Sequence, residues 1–379
     1  MPRGILRGMR LETIAIHAGG DVDAATGSVS PPIHLSTTFE HGPASEALHG
    51  YLYTREGNPV QSRLEQALAA LEGGPAALAF ASGMAAGSAY IQSLPRESHV
   101  LFHHDVYYAF RIIGAEFLER WGCQAEFVDM CDLGALRKAI RPNTRLVWME
   151  TPSNPLMNVV DIAAVAEIAH GAGAKLVVDG TFGTPVLQRP LELGADVVLH
   201  STTKYFGGHS DVQGGALVFA RRDPTVEKIE HIRHVLGAVA SPFGCWLVLR
   251  GLRTLPCRIE RHSANAQAVA EALMGHRALD AVLYPGLPSH PGHDVARRQM
   301  KSFGGMLSLR VKGGRAKALE VASRVKLFVN ATSLGGVESL LEHRASSEGA
   351  TSRTPQDLLR LSVGLEHPDD LIEDLLQAL

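Results

Sequence analysis

Short apolar runs alternate with helix-like segments along the middle of the chain. Runs such as Arg145–Met149, Lys175–Val178 and Val197–His200 are almost continuously apolar, as expected for strands that are buried on both faces. Between them, segments such as Leu133–Ile140 and Ile162–His170 carry apolar residues at helical spacing. Strands separated by helices predict a mainly parallel sheet with right-handed crossovers, so we expect an α/β fold.

The pattern changes towards both ends of the chain. Residues 1–60 have weak periodicity and many turn-forming residues, which predicts an irregular arm. Beyond about residue 222 the pattern changes, and one long helical stretch, Trp246–Met274, leads into further strand signals. We therefore expect an N-terminal arm over 1–60, a large domain over 61–240 and a smaller C-terminal domain over 241–379.

Composition narrows the class of protein. The 379 residues include 36 basic and 39 acidic residues, and the net charge of −3 argues against a nucleic-acid partner. No stretch approaches the ~18 strongly apolar residues of a membrane span, and no apolar signal-peptide segment follows Met1. The four cysteines form no C-x-x-C pair, and the histidines lack metal-ligand spacing. These features predict a cytoplasmic protein with reduced thiols, no bound metal and no membrane partner.

A lysine follows one of the predicted strands after three hydroxyl residues. In open α/β sheets, ligands bind beyond the carboxyl ends of the strands, where Lys204 is expected to lie. A lysine that is partly desolvated there can have a lowered pKa and act as a Schiff-base nucleophile. Ser201 and Thr203 alternate outward and can bind a phosphate. The alternative is a surface lysine that is capped by polar neighbours.

Two further strand ends are expected at the same edge of the sheet. Asp179 directly follows Lys175–Val178, and a carboxylate there can pair with a protonated pyridine nitrogen, although a helix N-cap is the alternative. Ser82, Gly83 and Met84 lead from a strand into a helix whose free N–H groups favour an anion, or form a plain N-cap. The Lys-Ser/Thr pair of a nucleoside triphosphate loop is absent. Together these residues predict a site for pyridoxal phosphate.

Seven segments, spread over nearly the whole chain, carry a family resemblance. They are Tyr53-Thr-Arg-Glu-Gly-Asn-Pro59, Ser82-Gly-Met-Ala-Ala86, Glu150-Thr-Pro-Ser-Asn-Pro155, Val178-Asp179, His200-Ser-Thr-Thr-Lys-Tyr205, Ser333-Leu-Gly-Gly-Val-Glu-Ser339 and Leu359-Arg-Leu-Ser-Val-Gly364. In this order they resemble the Cys/Met-metabolism pyridoxal-phosphate enzymes. That family includes cystathionine γ-synthase, cystathionine γ- and β-lyases, methionine γ-lyase and the homoserine-ester sulfhydrylases. The resemblance implies the fold-type I pyridoxal-phosphate architecture, with a large, mainly parallel sheet domain and a smaller C-terminal α/β domain.

The resemblance also implies how the cofactor is held. Lys204 would bind it covalently and then carry protons, and Asp179 would pair with the pyridinium nitrogen. Tyr107 would stack on the ring and serve as an acid or base for the leaving group. The phosphate would be held by a set of loop residues: Ser82, Gly83, Met84, Ser201 and Thr203. Tyr53 and Arg55 would reach that phosphate from a neighbouring subunit, which implies a homodimer with shared active sites, usually paired into a tetramer.

The implied substrate is a small amino acid. Asn154 and Arg360 would hold its α-carboxylate, with Ser333 nearby, because an arginine fork suits a carboxylate. Arg111 is a further candidate for substrate binding, the alternative being an exposed helical arginine without a special role.

Several positions depart from the family pattern. The usual Tyr-Gly-Gly-Thr is Tyr107-Tyr-Ala-Phe110, so two aromatic rings replace small residues beside the cofactor and could narrow the pocket. The reactive cysteine of methionine γ-lyases is absent from this segment, which counts against that activity. The usual Asp-Asn-Thr-Phe is Asp179-Gly-Thr-Phe182, which loses an amide but keeps the acid.

The segment that precedes the last strand differs most. Thr332 replaces a glutamate that helps many cystathionine enzymes to recognise the distal end of the substrate. Leu341-Glu-His-Arg-Ala-Ser346 replaces the common His-Pro-Ala-x-Met-Thr-His, and the loop from there to Arg360 is short. Glu342, His343 and Arg344 either recognise the substrate's distal group or form a solvated charge cluster at a helix end.

Three functional hypotheses follow from the sequence. The first is a carbon–sulfur lyase that acts on cystathionine or a related cysteine or homocysteine thioether. The second is a γ-replacement synthase, either cystathionine γ-synthase or a sulfhydrylase, that uses an O-acylhomoserine. The third is a non-catalytic protein that retains the fold.

Overall fold

A computed structural model describes residues 8–349 and 352–379. It contains a seven-stranded sheet in the order β1-β7-β6-β5-β4-β2-β3. The strands are β1 (Ala76–Phe80), β2 (His99–His103), β3 (Gln124–Val128), β4 (Thr144–Glu150), β5 (Lys175–Asp179), β6 (Val197–His200) and β7 (Gly215–Phe219). Only β7 runs antiparallel to its neighbours in this sheet. The predicted α/β fold with a mainly parallel sheet is confirmed.

Helices cover both faces of this sheet and pack beyond it. They are α1 (Leu11–His17), α2 (Pro59–Glu72), α3 (Gly83–Gln92), α4 (Tyr108–Ile112), α5 (Leu133–Ala139), α6 (Ile162–Gly171), α7 (Thr184–Leu187), α8 (Pro224–Leu236), α9 (Pro242–Leu252), α10 (Leu255–Leu273), α11 (His293–Gln299), α12 (Gly314–Arg324), α13 (Arg344–Glu348) and α14 (Pro368–Ala378). A π-helical turn at Ile113–Phe117 extends α4, and a 3₁₀ turn lies at Pro190–Leu193.

The central strands are apolar on both faces because helices cover both. In β4, Leu146 and Trp148 belong to one hydrophobic cluster, whereas Val147 and Met149 belong to the cluster on the opposite face. This alternation follows from the two-residue repeat of a strand. All four side chains are fully buried, which explains why the strand is almost continuously apolar in the sequence.

A second sheet of five strands has the order β10-β11-β12-β9-β8. Its strands are β8 (Leu279–Leu283), β9 (Met306–Val311), β10 (Val329–Asn330), β11 (Leu340–Glu342) and β12 (Leu358–Ser362). It has its own hydrophobic core, to which α10, α12 and α14 contribute. The Ser308 hydroxyl on β9 donates to the Pro155 carbonyl at 2.8 Å and so joins this sheet to the loop after β4. Among the described residues, no helix is long and apolar enough to cross a membrane.

The single helix predicted over Trp246–Met274 is wrong, because the chain forms two helices there. Helix α9 ends at Leu252, and α10 begins at Leu255 after a break at Thr254. Pro256 lies in the first turn of α10, where its missing N–H costs nothing, whereas in a continuous helix it would remove a hydrogen bond.

Candidate active site

The carboxyl ends of β1, β2, β4, β5 and β6 meet at one edge of the large sheet. A cavity of about 450 Å³ opens there and is closed on its other side by loops of the second sheet. Most of the predicted site residues line it: Ser82, Gly83, Met84, Tyr107, Asn154, Asp179, Ser201, Thr203, Lys204, Ser333 and Arg360. A larger cavity, of about 570 Å³, lies against α2 and β1 and contains none of the predicted site residues. The smaller cavity is therefore the candidate active site.

Lys204 lies just beyond β6 with its amine inside the cavity. Its Nζ donates to the Ser333 hydroxyl at 2.8 Å. Burial, reinforced by the positive charges of Arg360 and Arg344, lowers the pKa of Lys204 to about 8. Ser333 has a left-handed φ of 78°, a conformation that costs a serine energy and that places its hydroxyl against the amine. A lysine amine that is partly neutral near physiological pH can act as a nucleophile and as a proton carrier.

Asp179 ends β5 as a buried carboxylate at the floor of the cavity. Burial raises its pKa, against the opposing effects of its hydrogen bonds from Thr181 and of the nearby His200. The Thr181 N–H donates to Asp179 Oδ1 at 3.0 Å. A carboxylate that is desolvated in this way fits a cationic partner such as a pyridinium nitrogen. At the next position, a Cβ on Gly180 would lie 2.9 Å from Val198 Cγ1 and 3.0 Å from the His200 ring, so this position leaves little room for a side chain.

The start of α3 forms an anion cradle against the loop after β6. The Ser82 hydroxyl accepts from the Ala85 N–H at 3.0 Å, and the free N–H groups of the first turn belong to Gly83 and Met84. A Cβ on Gly83 would lie 3.1 Å from the Ser201 Cβ, so glycine allows the two segments to approach closely. Backbone N–H groups at a helix start beside a serine hydroxyl suit a phosphate.

Thr203 contributes to this cradle in a different way. Its hydroxyl donates to the Gly214 carbonyl at 3.2 Å and accepts from the Gly214 N–H at 3.0 Å. These contacts fix the loop between β6 and β7 above the cavity, although Thr203 itself also lines the cavity.

Glu150 is a site residue that the sequence argument did not assign. It ends β4 and accepts a hydrogen bond from the Tyr107 N–H at 2.7 Å. Burial, together with the nearby Asp179, raises the pKa of Glu150 well above its ordinary value. The rule that singled out Asp179, an acid at the end of an apolar strand, applies equally to Glu150 and could have found it.

A buried arginine on β12 forms the opposite wall. Arg360 Nη1 donates to Asn154 Oδ1 at 3.3 Å, and Nη2 donates to the Ser333 carbonyl at 2.7 Å. Its Nη2 also pairs with the Glu342 carboxylate at 2.5 Å, across the register pair of β11 and β12. Arg360 Nε has no hydrogen-bond partner among the described residues. This side chain can therefore still bind a ligand carboxylate.

The segment Glu342–Arg344 is buried, so the alternative of a solvated charge cluster is wrong. Arg344 lines the cavity, as does Thr332. Glu342 lies between Arg344 and Arg360. His343 points elsewhere, and its ring bonds to the Ser346 hydroxyl at 2.7 Å and to the Gln356 carbonyl at 2.8 Å. Of the three residues, Arg344 alone contacts the cavity directly.

Arg111 is neither exposed nor a wall of the cavity. Its side chain is 14% exposed, and its Nη2 pairs with the buried Glu348 at 3.1 Å. Because Glu348 in turn pairs with Arg344, Arg111 lies two ion pairs away from the cavity-lining Arg344. Any action of Arg111 on the substrate would therefore be exerted through these partners.

The two aromatic replacements after Tyr107 have different positions. Phe110 packs against Trp148 with ring centroids 4.7 Å apart, beside Gly87, where a Cβ would come within 2.5 Å of its ring. Phe110 thus packs into the core while it also lines the cavity. Tyr108 lies in the cavity wall with its ring 4.9 Å from that of Tyr107, so it does narrow the pocket.

Tyr53 and Arg55 lie away from the cavity of their own chain. Tyr53 is 43% exposed, and the Arg55 guanidinium lies 5.6 Å from the centre of its ring. Arg55 Nη1 donates to the His234 carbonyl at 3.1 Å. Neither residue lines the described cavity, which is the arrangement expected of residues that serve another subunit.

The sequence also matches a known protein family. Residues 12–379 match the model of the Cys/Met metabolism PLP-dependent enzymes. The chain belongs to this family. The predicted fold-type I architecture and pyridoxal phosphate dependence are therefore confirmed, and the buried amine, the desolvated carboxylate and the anion cradle fit that cofactor.

Individual members of the family are similar over almost their whole length. Cystathionine gamma-synthase of Mycobacterium tuberculosis is 50% identical over 374 residues, which cover 97% of this chain and 96% of that protein. Cystathionine gamma-lyase of Dictyostelium discoideum is 44% identical over 98% of this chain and 97% of that protein. The crystal structure of metB from Corynebacterium glutamicum has a TM-score of 0.95 and 45% identity, covering 98% of both chains. Both reactions predicted from the sequence are thus represented among these relatives.

Proposed function

We propose that this chain is a trans-sulfuration enzyme that expels a leaving group from the side chain of a small amino-acid substrate. The observation that carries the proposal is the buried Lys204 amine, with its lowered pKa, in a cavity that the Asp179 carboxylate and the Arg360 guanidinium also line. γ-Replacement on an O-acylhomoserine is favoured by the 50% identity to a cystathionine gamma-synthase. Carbon–sulfur cleavage of cystathionine or a related thioether is the second candidate, supported by the 44% identity to a cystathionine gamma-lyase.

Each residue has a defined task in this proposal. Pyridoxal phosphate, when bound, supplies the ring that delocalises negative charge from the substrate carbon. Asp179 keeps the ring nitrogen protonated, and the cradle formed by Ser82, Gly83, Met84, Ser201 and Thr203 binds the phosphate. Arg360 and Asn154 orient the α-carboxylate, with Ser333 beside them. Lys204 binds the cofactor and, once released, takes the proton from the substrate Cα. Tyr107 stacks on the ring and donates a proton to the leaving group.

Product analysis tests this proposal. Purified holoenzyme is incubated with L-cystathionine and, separately, with O-succinyl- or O-acetyl-L-homoserine plus cysteine. Condensation to cystathionine supports γ-replacement, whereas release of a thiol and a keto acid from cystathionine without condensation supports the lyase. A protein that takes up no pyridoxal phosphate and turns over none of these compounds would contradict both.

The pH dependence of cofactor attachment follows from the lowered pKa of Lys204. The amine reacts when neutral, so the rate at which the apoenzyme takes up pyridoxal phosphate covalently is expected to rise through pH of about 8 and then level off. An ordinary lysine would reach its plateau only above pH of about 10.4. Arg344→Gln should shift the midpoint upwards, because the positive charge of Arg344 favours the neutral amine. Borohydride-trapped cofactor is measured against pH, and a wild-type midpoint near 10 would contradict the assignment.

The domain organisation and assembly belong to the same proposal. The arm over 1–60 completes the active site of a neighbouring subunit, while 61–240 binds the cofactor and 241–379 forms the C-terminal domain.

Exposed apolar side chains of the arm support a subunit contact, among them Val29 at 73% and Leu35 at 67% exposure. The assembly is a homodimer with shared sites, paired into a homotetramer. We place the enzyme in the cytoplasm, which its four free cysteines support, and expect neither membrane nor nucleic-acid partners.

Arg55→Ala is expected to raise the Kd for pyridoxal phosphate by about ten- to a hundredfold, because it removes a charged hydrogen bond to the phosphate. Equilibrium titration of the apoenzyme by absorbance measures this. Affinity equal to that of the wild type would count against the shared site.

Subunit complementation separates a shared site from a structural effect of Arg55. Inactive Lys204→Ala subunits are mixed with Arg55→Ala subunits and allowed to exchange. Activity is measured at a pyridoxal phosphate concentration that leaves Arg55→Ala subunits largely without cofactor. Each hybrid dimer then contains one site with both residues intact, so activity should reappear on mixing. Continued inactivity of the hybrids would show that Arg55 serves its own chain.

A further inference from the structure

Arg344 is a buried cation in the wall of the active-site cavity, and the reaction proposed above gives it no task. Its side chain is 6% exposed and borders the cavity beside Tyr108 and Ser347. Its Nη2 has no hydrogen-bond partner among residues 8–349 and 352–379. A buried charged N–H group without a hydrogen-bond partner destabilises the protein. An anionic ligand in the cavity could supply the missing acceptor for Arg344 Nη2.

A chain of alternating charges leaves Arg344 as the surplus cation. Its members, in order of contact, are Arg111, Glu348, Arg344, Glu342 and Arg360. Glu342 is bound by Arg360 at 2.5 Å but by Arg344 only at 3.4 Å. Glu348 accepts from Arg111 at 3.1 Å and from two hydroxyl groups, and lies 3.4 Å from Arg344. Because both glutamates have closer partners, the charge of Arg344 is only partly balanced.

Two tyrosine rings hold the guanidinium of Arg344 in place. Its Cζ lies 5.1 Å from the ring centre of Tyr108 and 5.8 Å from that of Tyr107. Aromatic faces stabilise a cation and restrict its movement. Tyr108 replaces a glycine of the family pattern, and Arg344 lies in the segment Leu341–Ser346, which also departs from that pattern. Two departures that are far apart in the sequence therefore contact each other, which points to a function specific to this chain.

We infer that Arg344 binds a carboxylate at the distal end of the substrate and selects substrates that carry this second acidic group. Arg344 Nη1 and Arg360 Nη2 share one oxygen of Glu342, at 3.4 and 2.5 Å, so both cations belong to the same wall. The inference rests on the proposed function in that Arg360 takes the α-carboxylate. The substrate class is then a homoserine ester or homocysteine thioether whose far end is a carboxylate.

A substrate comparison on the holoenzyme tests this assignment. With cysteine as acceptor, kcat/KM is measured for two esters. O-Succinyl-L-homoserine has a distal carboxylate and O-acetyl-L-homoserine has none, and the ratio of the two values gives the preference for the carboxylate. The wild type should prefer the succinyl ester. Arg344→Gln should lower this preference about ten- to a hundredfold, chiefly through KM of the succinyl ester, whereas Arg344→Lys should keep part of it. The matched control Arg315→Gln changes an exposed arginine that contacts Ser346 on α13 but lies outside the cavity, and should keep the preference.

Several outcomes would overturn the inference. One is a wild type without a preference, and another is an equal loss for both esters in Arg344→Gln, since a structural role would affect both alike. If neither ester reacts, γ-replacement fails, and L-cystathionine is then compared with S-ethyl-L-homocysteine on the same variants. If no substrate reacts, the proposed function fails, yet calorimetric binding of O-succinyl-L-homoserine still decides the role of Arg344. Equal Kd values for wild type and Arg344→Gln would refute that role.

A second variant is available if Arg344→Gln does not fold. Tyr108→Leu removes the aromatic ring beside Arg344 and keeps the guanidinium charge, and it should still lower the preference for the succinyl ester several-fold.

Discussion

Replacing Lys204 by alanine is expected to lower kcat by at least about a thousandfold, because it removes both the amine that binds the cofactor and the proton carrier. The amine lies in the cavity, 2.8 Å from the Ser333 hydroxyl, and the other cations that line the cavity are the permanently charged guanidinium groups of Arg344 and Arg360. Neither guanidinium group can take a proton from carbon, so neither replaces Lys204 as the base. Steady-state kinetics measures the loss, and borohydride should no longer fix cofactor to the protein.

A matched lysine controls for charge and folding. Lys175 begins β5, at the opposite end of the sheet, and pairs with Asp196 at 2.9 Å on the surface. Lys175→Ala should keep kcat, at a small cost in stability, as usual for an exposed ion pair. Addition of a small primary amine should partly restore Lys204→Ala, since a free amine can enter the cavity and carry the proton. If Lys204→Ala keeps kcat within about tenfold of the wild type, the amine is not the base.

The strands of the large sheet could be predicted closely because burial on both faces makes each one a distinct apolar run. Val197–His200 and Gly215–Phe219 are observed as predicted, and the predicted Lys175–Val178 extends by one residue to Asp179. The short strands Val329–Asn330 and Leu340–Glu342 have no such signal, since two or three residues show no periodicity. The first pairs with the second, and the second joins the rest of the sheet through β12.

The site could be predicted where a residue's position follows from a strand end. Lys204 and Asp179 each follow an apolar run directly, and the edge at which such runs end is a general property of parallel sheets. Arg344 has no such signal, because three charged or polar residues in a row usually lie in solvent. Glu342 and Glu348 are close to it in the sequence, but Tyr108 and Arg360, which help to enclose this charge cluster, are brought there only by the tertiary fold. The sequence pattern does not contain these long-range contacts.

Asp179→Asn is the second change with a large expected effect. Asparagine has the shape of aspartate and can still accept the hydrogen bond from the Thr181 N–H, but it cannot stabilise a positive charge on the ring nitrogen. We expect kcat to fall by about 10²–10³-fold, the usual effect of removing one preorganised electrostatic contact. Cofactor should still bind, since the phosphate cradle and Lys204 are unchanged. Kinetics and the cofactor content of the purified variant measure the two effects separately.

The stability of the apoenzyme gives this prediction a second readout with a defined sign. Burial raises the pKa of Asp179, so the folded apoenzyme binds a proton that the unfolded chain releases, and ionised Asp179 destabilises the fold above its unfolded pKa. Asp179→Asn should therefore leave apoenzyme stability at neutral pH equal or higher while abolishing most activity.

The pKa of Asp196, which directly precedes β6, is shifted in the opposite direction. Although partial burial raises its pKa, hydrogen bonds from the Leu176 N–H, Lys175 and His170 lower it overall. Its stabilising contribution is present above its unfolded pKa and is lost as the pH falls through the folded value. Asp196→Asn should thus reduce thermal stability at neutral pH and keep kcat. If Asp179→Asn instead destabilised the apoenzyme as Asp196→Asn does and kept its activity, Asp179 would be a structural acid, and the site would lack the group that holds the ring nitrogen protonated.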